Sequence, residues 1–290
     1  MKTKAIIILG ATIAIVIALY FILKPPVPVT DDCIGDDVTT CPSKDRPLNL
    51  SIYLDLSDRI DTTQKDKEQQ KAKDIAIVDF LANHIKDRAV KQKILPCKDR
   101  IKVFFYPAPN DSKISMLAEK LELDLGKTKM QEKKKALNTF VDEFKICMEQ
   151  IYQSTITTSN WQGSDIWGFF NKPIDNYCIK DGYRNVLVVL TDGYIYYAPN
   201  SSMQNGHSFN KITNATLKDP DSNLISERTG LDDLEVLMLE LNPNPLTYQS
   251  KMEKVITDWL KSMGVQRCYV GETDVPANTK MIIENFLETN

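Results

Sequence analysis

Two histidines, His84 and His207, are all that this chain of 290 residues contains. That scarcity leaves little room for a histidine-rich metal site or a histidine relay. No Cys-x-x-Cys occurs, which removes thiol-redox and zinc-ribbon chemistry, and no Gly-x-Ser-x-Gly occurs to mark a serine hydrolase. An excess of positive charge is missing too: 36 Lys+Arg face 39 Asp+Glu, a net charge of −3, so nothing marks a nucleic-acid-binding surface. No repeat of about 20–50 residues is visible. The 42% hydrophobic and 26% charged content excludes collagen-like, low-complexity and wholly disordered chains.

What is present begins with an uncharged run. Ala5 to Leu23 holds 19 residues without a charge. As a helix it spans about 28 Å, close to a bilayer core of about 30 Å. Lys2 and Lys4 precede the run and Lys24 follows it. Pro25-Pro26 and the acids Asp31, Asp32, Asp36 and Asp37 come next. The positive-inside bias places residues 1–24 as a cytoplasmic tip and single transmembrane anchor, with the remainder extracytoplasmic, periplasmic or at the cell surface. A cleaved signal peptide has a shorter apolar core and a small-x-small site, and Tyr20 to Pro25 offers none. Without Lys2, Lys4 and Lys24 the exported part carries 33 basic against 39 acidic side chains.

Residues 25–47, with Pro, Asp, Thr and two Cys, read as a linker, and 48–290 as one domain. Strands are expected at Leu48–Leu56, Ile101–Tyr106, Asn185–Thr191, Leu234–Leu241 and Val265–Val270. Helices are expected at Thr63–Arg88, Met130–Tyr152, Thr247–Ser262 and Thr279–Thr289. Asn185–Thr191 is almost continuously apolar, the pattern of a strand buried on both faces. Strands alternating with helices imply an α/β fold, a Rossmann-like and mostly parallel sheet flanked by helices. Six cysteines fit an oxidising compartment. Cys33 and Cys41 form the easiest local pair, whereas Cys147 and Cys268 read equally well as small buried hydrophobes. The Lys-rich stretches at Lys65–Lys73 and Lys133–Lys135 read as solvated faces.

Sites in such folds lie beyond the carboxyl ends of the strands. The first strand ends in Asp55-Leu56-Ser57-Asp58-Arg59, and Asn185–Thr191 ends in Thr191-Asp192-Gly193. Between them lies Gly163-Ser164-Asp165-Ile166-Trp167-Gly168. Each piece alone is a common turn or a helix N-cap. Carboxylate and hydroxyl oxygens are the donors that Mg²⁺ requires. After Asp192, the 40 residues Tyr194 to Asp233 separate two strands, long enough to shape a site rim.

Taken together and in this order, these residues resemble the von Willebrand factor A-type domain and its metal-ion-dependent adhesion site, over roughly Leu48 to the C-terminus. The resemblance implies Asp55, Ser57, Ser164 and Asp192 as metal ligands, Ser164 standing for the family's Thr with its hydroxyl kept. It implies Mg²⁺, with Mn²⁺ or Ca²⁺ as the other candidates, and an extracytoplasmic protein ligand with an acidic contact. Arg59 departs from the pattern, standing where a second Ser would coordinate. A guanidinium has no acceptor and cannot ligate a metal. Either Arg59 points away and water fills the position, or its guanidinium occupies the charge site and gives a metal-free pocket. Asp58, Arg59 and Asp165 are candidates for contacting the ligand.

The function expected is therefore protein binding rather than catalysis. An Mg²⁺-dependent phosphatase using Asp55 and Asp192 is the rival, although position 57 is Ser where such enzymes usually carry Asp. A metal-free structural scaffold is the third reading.

Overall fold

The computed structural model describes residues 46–60, 69–108, 110–158, 164–194, 228–243, 246–272 and 276–289. The apolar run Ala5–Leu23, the linker up to residue 45, Cys33, Cys41, Lys65, Lys67, His207 and most of the 194–233 segment lie outside these residues. Among the described residues no helix is long and apolar enough to cross a membrane.

Strands β1 (Leu48–Leu54), β2 (Arg100–Phe104), β3 (Glu122–Asp124), β4 (Arg184–Leu190), β5 (Leu234–Leu239) and β6 (Arg267–Val270) form one sheet in the order β3-β2-β1-β4-β5-β6. All neighbours are parallel except β3, which runs antiparallel to β2. Between the strands lie α1 (Gln70–Lys91), α2 (Ser112–Glu119), α3 (Lys133–Thr158), α4 (Ile166–Asn171), α5 (Ile174–Cys178) and α6 (Gln249–Ser262), and α7 (Pro276–Glu288) follows β6. The α/β reading of the sequence holds at this level: the sheet is mixed and mostly parallel, with helices on both faces.

Alternation along each strand divides the core in two. Val186, Val188 and Leu190 of β4 join Leu50 and Ile52 of β1 in a cluster under α1, α3 and α7. Leu187 and Val189 turn the other way, with Tyr53, Val236 and Met238, and meet α4, α5 and α6. Residues on both faces of β1 and β4 are buried, which is why Asn185–Thr191 shows no polar alternation.

The expected elements are found with shifted ends. α3 starts three residues later than expected and runs six residues past Tyr152. α1 begins at Gln70 rather than Thr63, with residues 61–68 outside the described set. Short elements carry too few periods to be read from spacing, so α2, β3 and α5 are not expected from the sequence, and α4 is expected only as a helix start near Ser164. Lys133 is a correction: it is buried, not solvated, and its ammonium donates to the carbonyls of Leu95 (2.8 Å) and Cys97 (2.6 Å). Lys134 and Lys135 are exposed as expected.

Cys97, Cys147 and Cys178 are buried thiols, and Cys268 is half-buried. Burial pushes the Cys97 thiol up to about 11 and that of Cys178 up to about 12. Neither is poised as a thiolate near neutrality.

Candidate functional site

β1 and β4 are adjacent, and the Asp55 N–H, donating to the Leu190 carbonyl (3.1 Å), extends their pairing past the last ladder residue. The segments that follow them, 55–60 and 191–194, therefore emerge side by side. The strand order reverses between these two strands, the position at which open α/β sheets form a crevice.

Asp55 is 1% exposed. Its Oδ1 accepts from the Ser57 N–H (2.9 Å) and its Oδ2 from the Thr191 hydroxyl (2.9 Å). Burial raises the Asp55 carboxyl above its ordinary value, opposed first by Arg59. Ser57 is half-buried at the rim, whereas the Asp58 side chain lies outside the described set. Asp192 Oδ1 accepts from the Tyr194 N–H (3.1 Å), closing a turn in which Gly193 holds φ +95°. A Cβ on Gly193 would run into the Met252 sulfur, so this turn admits only glycine.

Ser164 is buried and bonded to the Tyr53 hydroxyl (2.6 Å), whose own proton goes to the Tyr106 carbonyl (2.7 Å). A carbonyl only accepts, so Ser164 is the donor to Tyr53 and keeps its lone pairs for another partner. Asp165 caps α4, its Oδ1 accepting from the Gly168 N–H (2.8 Å). A Cβ on Gly168 would overlap that carboxylate. Asp165 thus serves the loop that presents Ser164.

The Arg59 side chain turns inward and is 4% exposed. Nε donates to the Asp55 carbonyl (3.1 Å), and Nη2 donates to the Leu190 carbonyl (3.2 Å) and to Asp74 Oδ2 (2.5 Å). The guanidinium thus covers the last carbonyls of β1 and β4 while pairing with an acid from α1. Burial alone would depress it, but Asp74 and then Asp55 outweigh that and hold it above its ordinary value. Nη1 is buried and has no acceptor among the described residues.

Four members of this network escaped the sequence reading: Gln70, Asp74, Tyr152 and Glu240. Asp74 also accepts from the Tyr152 hydroxyl (2.5 Å) and from Gln70 Nε2 (3.0 Å). The same Gln70 amide reaches Glu240 Oε2 (2.7 Å). Glu240 follows β5 and holds φ +73°, an unusual conformation for a buried side chain other than glycine. Asp74 did leave a signal, because it stands four residues before Val78 on the apolar stripe of α1.

A divalent cation would meet two obstacles among these residues. Ser164 keeps an acceptor, yet Asp55 has a donor on each oxygen, and Arg59 Nε stands 4.0 Å from its Oδ2. A metal bound to that oxygen at about 2.1 Å would lie within about 6 Å of the guanidinium, a repulsion of roughly 5 kcal/mol at an effective dielectric of 20. Among the described residues no three His, Cys, Asp or Glu side chains form a metal-holding group. Comparison with known proteins returned no matching family model, no matching curated protein and no matching solved structure.

Proposed function

We propose that this chain is a membrane-anchored, extracytoplasmic protein-binding module with a Rossmann-like, von Willebrand factor A-like domain, and that its top face engages a protein ligand without a divalent cation. The observation that carries the reading is Arg59. A guanidinium buried at the switch point, with Nη1 lacking an acceptor among the described residues, supports donation to one oxygen of an acidic ligand side chain. Ser57 and Asp192 flank it on the two loops that leave β1 and β4. The apolar run Ala5–Leu23 supports the anchor.

Catalysis by Asp55 is disfavoured, because both oxygens of this carboxylate already accept from protein donors. A scaffold with a silent top face is the second reading, favoured by the number of protein donors on Asp55 and Asp74.

A photoreactive residue at position 57, in the full chain in its native membrane, separates these readings. Adducts that persist in chelator and vanish with Arg59→Gln support the proposal. Adducts indifferent to Arg59→Gln favour a scaffold. Saturable Mg²⁺ binding in calorimetry, lost in Asp192→Ala, would replace it with a metal-dependent site.

A further inference from the structure

The pole opposite Arg59 has a chemistry of its own. The chain enters the domain there, with the Leu48 N–H on Asp99 Oδ1 (2.7 Å) and the Arg46 carbonyl accepting from Arg88 Nη2 (3.1 Å). Asp99 Oδ2 in turn takes the Arg88 Nε (2.8 Å), so the entry point is fastened to the end of α1 and the start of β2. Beside it lie two segments, 90–98 at the end of α1 and beyond, and 126–135 leading into the first turn of α3, and Lys133 ties them together through the Leu95 and Cys97 carbonyls.

Their outward side chains are of two kinds. Lys91, Lys93, Lys98, Lys127, Lys129, Lys134 and Lys135 are exposed, and within residues 87–98 and 126–135 the exposed acids are Asp87 and Glu132. Among them stand Val90, Leu95 and Met130, which are 56%, 52% and 59% exposed. Three of the seven large apolar side chains exposed among the described residues stand here, mixed with the lysines. On a chain of net charge −3, the corner is locally opposite in sign to the whole.

We propose that this corner rests on an anionic phospholipid bilayer, its lysines among the phosphates and Leu95 and Met130 at the headgroup boundary. Basic side chains mixed with a few apolar ones are what an interfacial surface requires, and a weak patch adds usefully to a separate anchor. The inference rests on reading Ala5–Leu23 as that anchor. Docking this way directs Arg59 away from the membrane, toward a ligand.

The test is lysine acylation of the full chain in nanodiscs of phosphatidylglycerol with phosphatidylcholine, against phosphatidylcholine alone. Lys91, Lys93, Lys98 and Lys129 are expected to react at least fivefold more slowly in the anionic discs. Lys254 and Lys261, exposed on α6, should not change. The difference should disappear in Lys93→Glu/Lys98→Glu/Lys129→Glu and shrink as salt shortens the Debye length to about 3 Å at 1 M. Equal labelling in both lipids overturns the proposal, as does shielding that requires added nucleic acid or protein. A chain that does not enter the discs refutes the anchor instead. Its sedimentation with phosphatidylglycerol vesicles then decides the corner, and failure to sediment overturns it.

Discussion

Replacing Arg59 with Met isolates the charge that distinguishes this site. The side chain keeps its length and loses its donors. Asp74 loses the Nη2 bond but retains Tyr152 and Gln70, while the Asp55 and Leu190 carbonyls lose donors in a buried setting. Removing one partner of a buried pair typically costs about 3–5 kcal/mol, most of it the uncompensated charge left behind. For a domain of this size that lowers the melting temperature by roughly 6–20 °C. The sign with pH follows from Asp55. Burial holds its folded pKa above the unfolded value, so its contribution is fully present below the unfolded pKa and is lost as pH rises through the folded one. Arg59 limits that loss, and Met cannot. The deficit of Arg59→Met should therefore be larger at pH 8 than at pH 5. Urea unfolding followed by Trp fluorescence reports it, with Trp259 fully buried under the sheet. Adding Asp74→Asn to Arg59→Met should recover at least about 1 kcal/mol, the coupling expected of contacting residues. A deficit below about 1 kcal/mol at neutral pH, or one independent of pH, would refute a strongly coupled buried pair.

Three further outcomes follow from particular contacts. Gly193→Ala, at φ +95° and against Met252, should destabilise by about 2–3 kcal/mol, and an unchanged melting temperature would contradict the turn. Arg184 forks onto Glu235 (2.7 and 2.8 Å) and donates to the Leu287 (2.6 Å) and Phe286 (3.0 Å) carbonyls. Arg184→Gln should therefore speed amide exchange in α7 well before the rest of the domain, whereas uniform exchange would deny it that local role. Cys97 and Cys178, buried with thiols held near 11 and 12, should resist maleimide at pH 7.5 until the domain unfolds, and rapid native labelling would count against their burial.

The alternation of strand and helix was legible because its principal elements are long and periodic. Leu137, Phe140, Phe144, Met148 and Ile151 repeat at three- and four-residue steps, and all are buried in α3. α4 and α5, at 6 and 5 residues, are too short for such a period to declare itself. At the site, the two strand-end motifs were legible as motifs, and the structure brings their loops together. The direction of Arg59 was not, because its partner Asp74 lies 15 residues away on another element. An acid on an otherwise apolar stripe was the available sign, and its meaning requires the register of α1 against β1 and β4. Glu240 left no comparable mark, since its conformation comes from the turn that ends β5.

β1 occupies an interior place in the sheet, hydrogen-bonded to β2 on one side and β4 on the other. The polypeptide enters at its amino end, and the Asp55–Arg59 turn leaves from its carboxyl end. A pull between the entry point and a ligand held at that turn would run along the axis of one strand. Such tension would pass along the backbone of this one extended strand, and the ladders on either side would carry little of it. A load applied at these two points would therefore be borne by about ten residues of covalent chain, leaving the rest of the sheet unloaded.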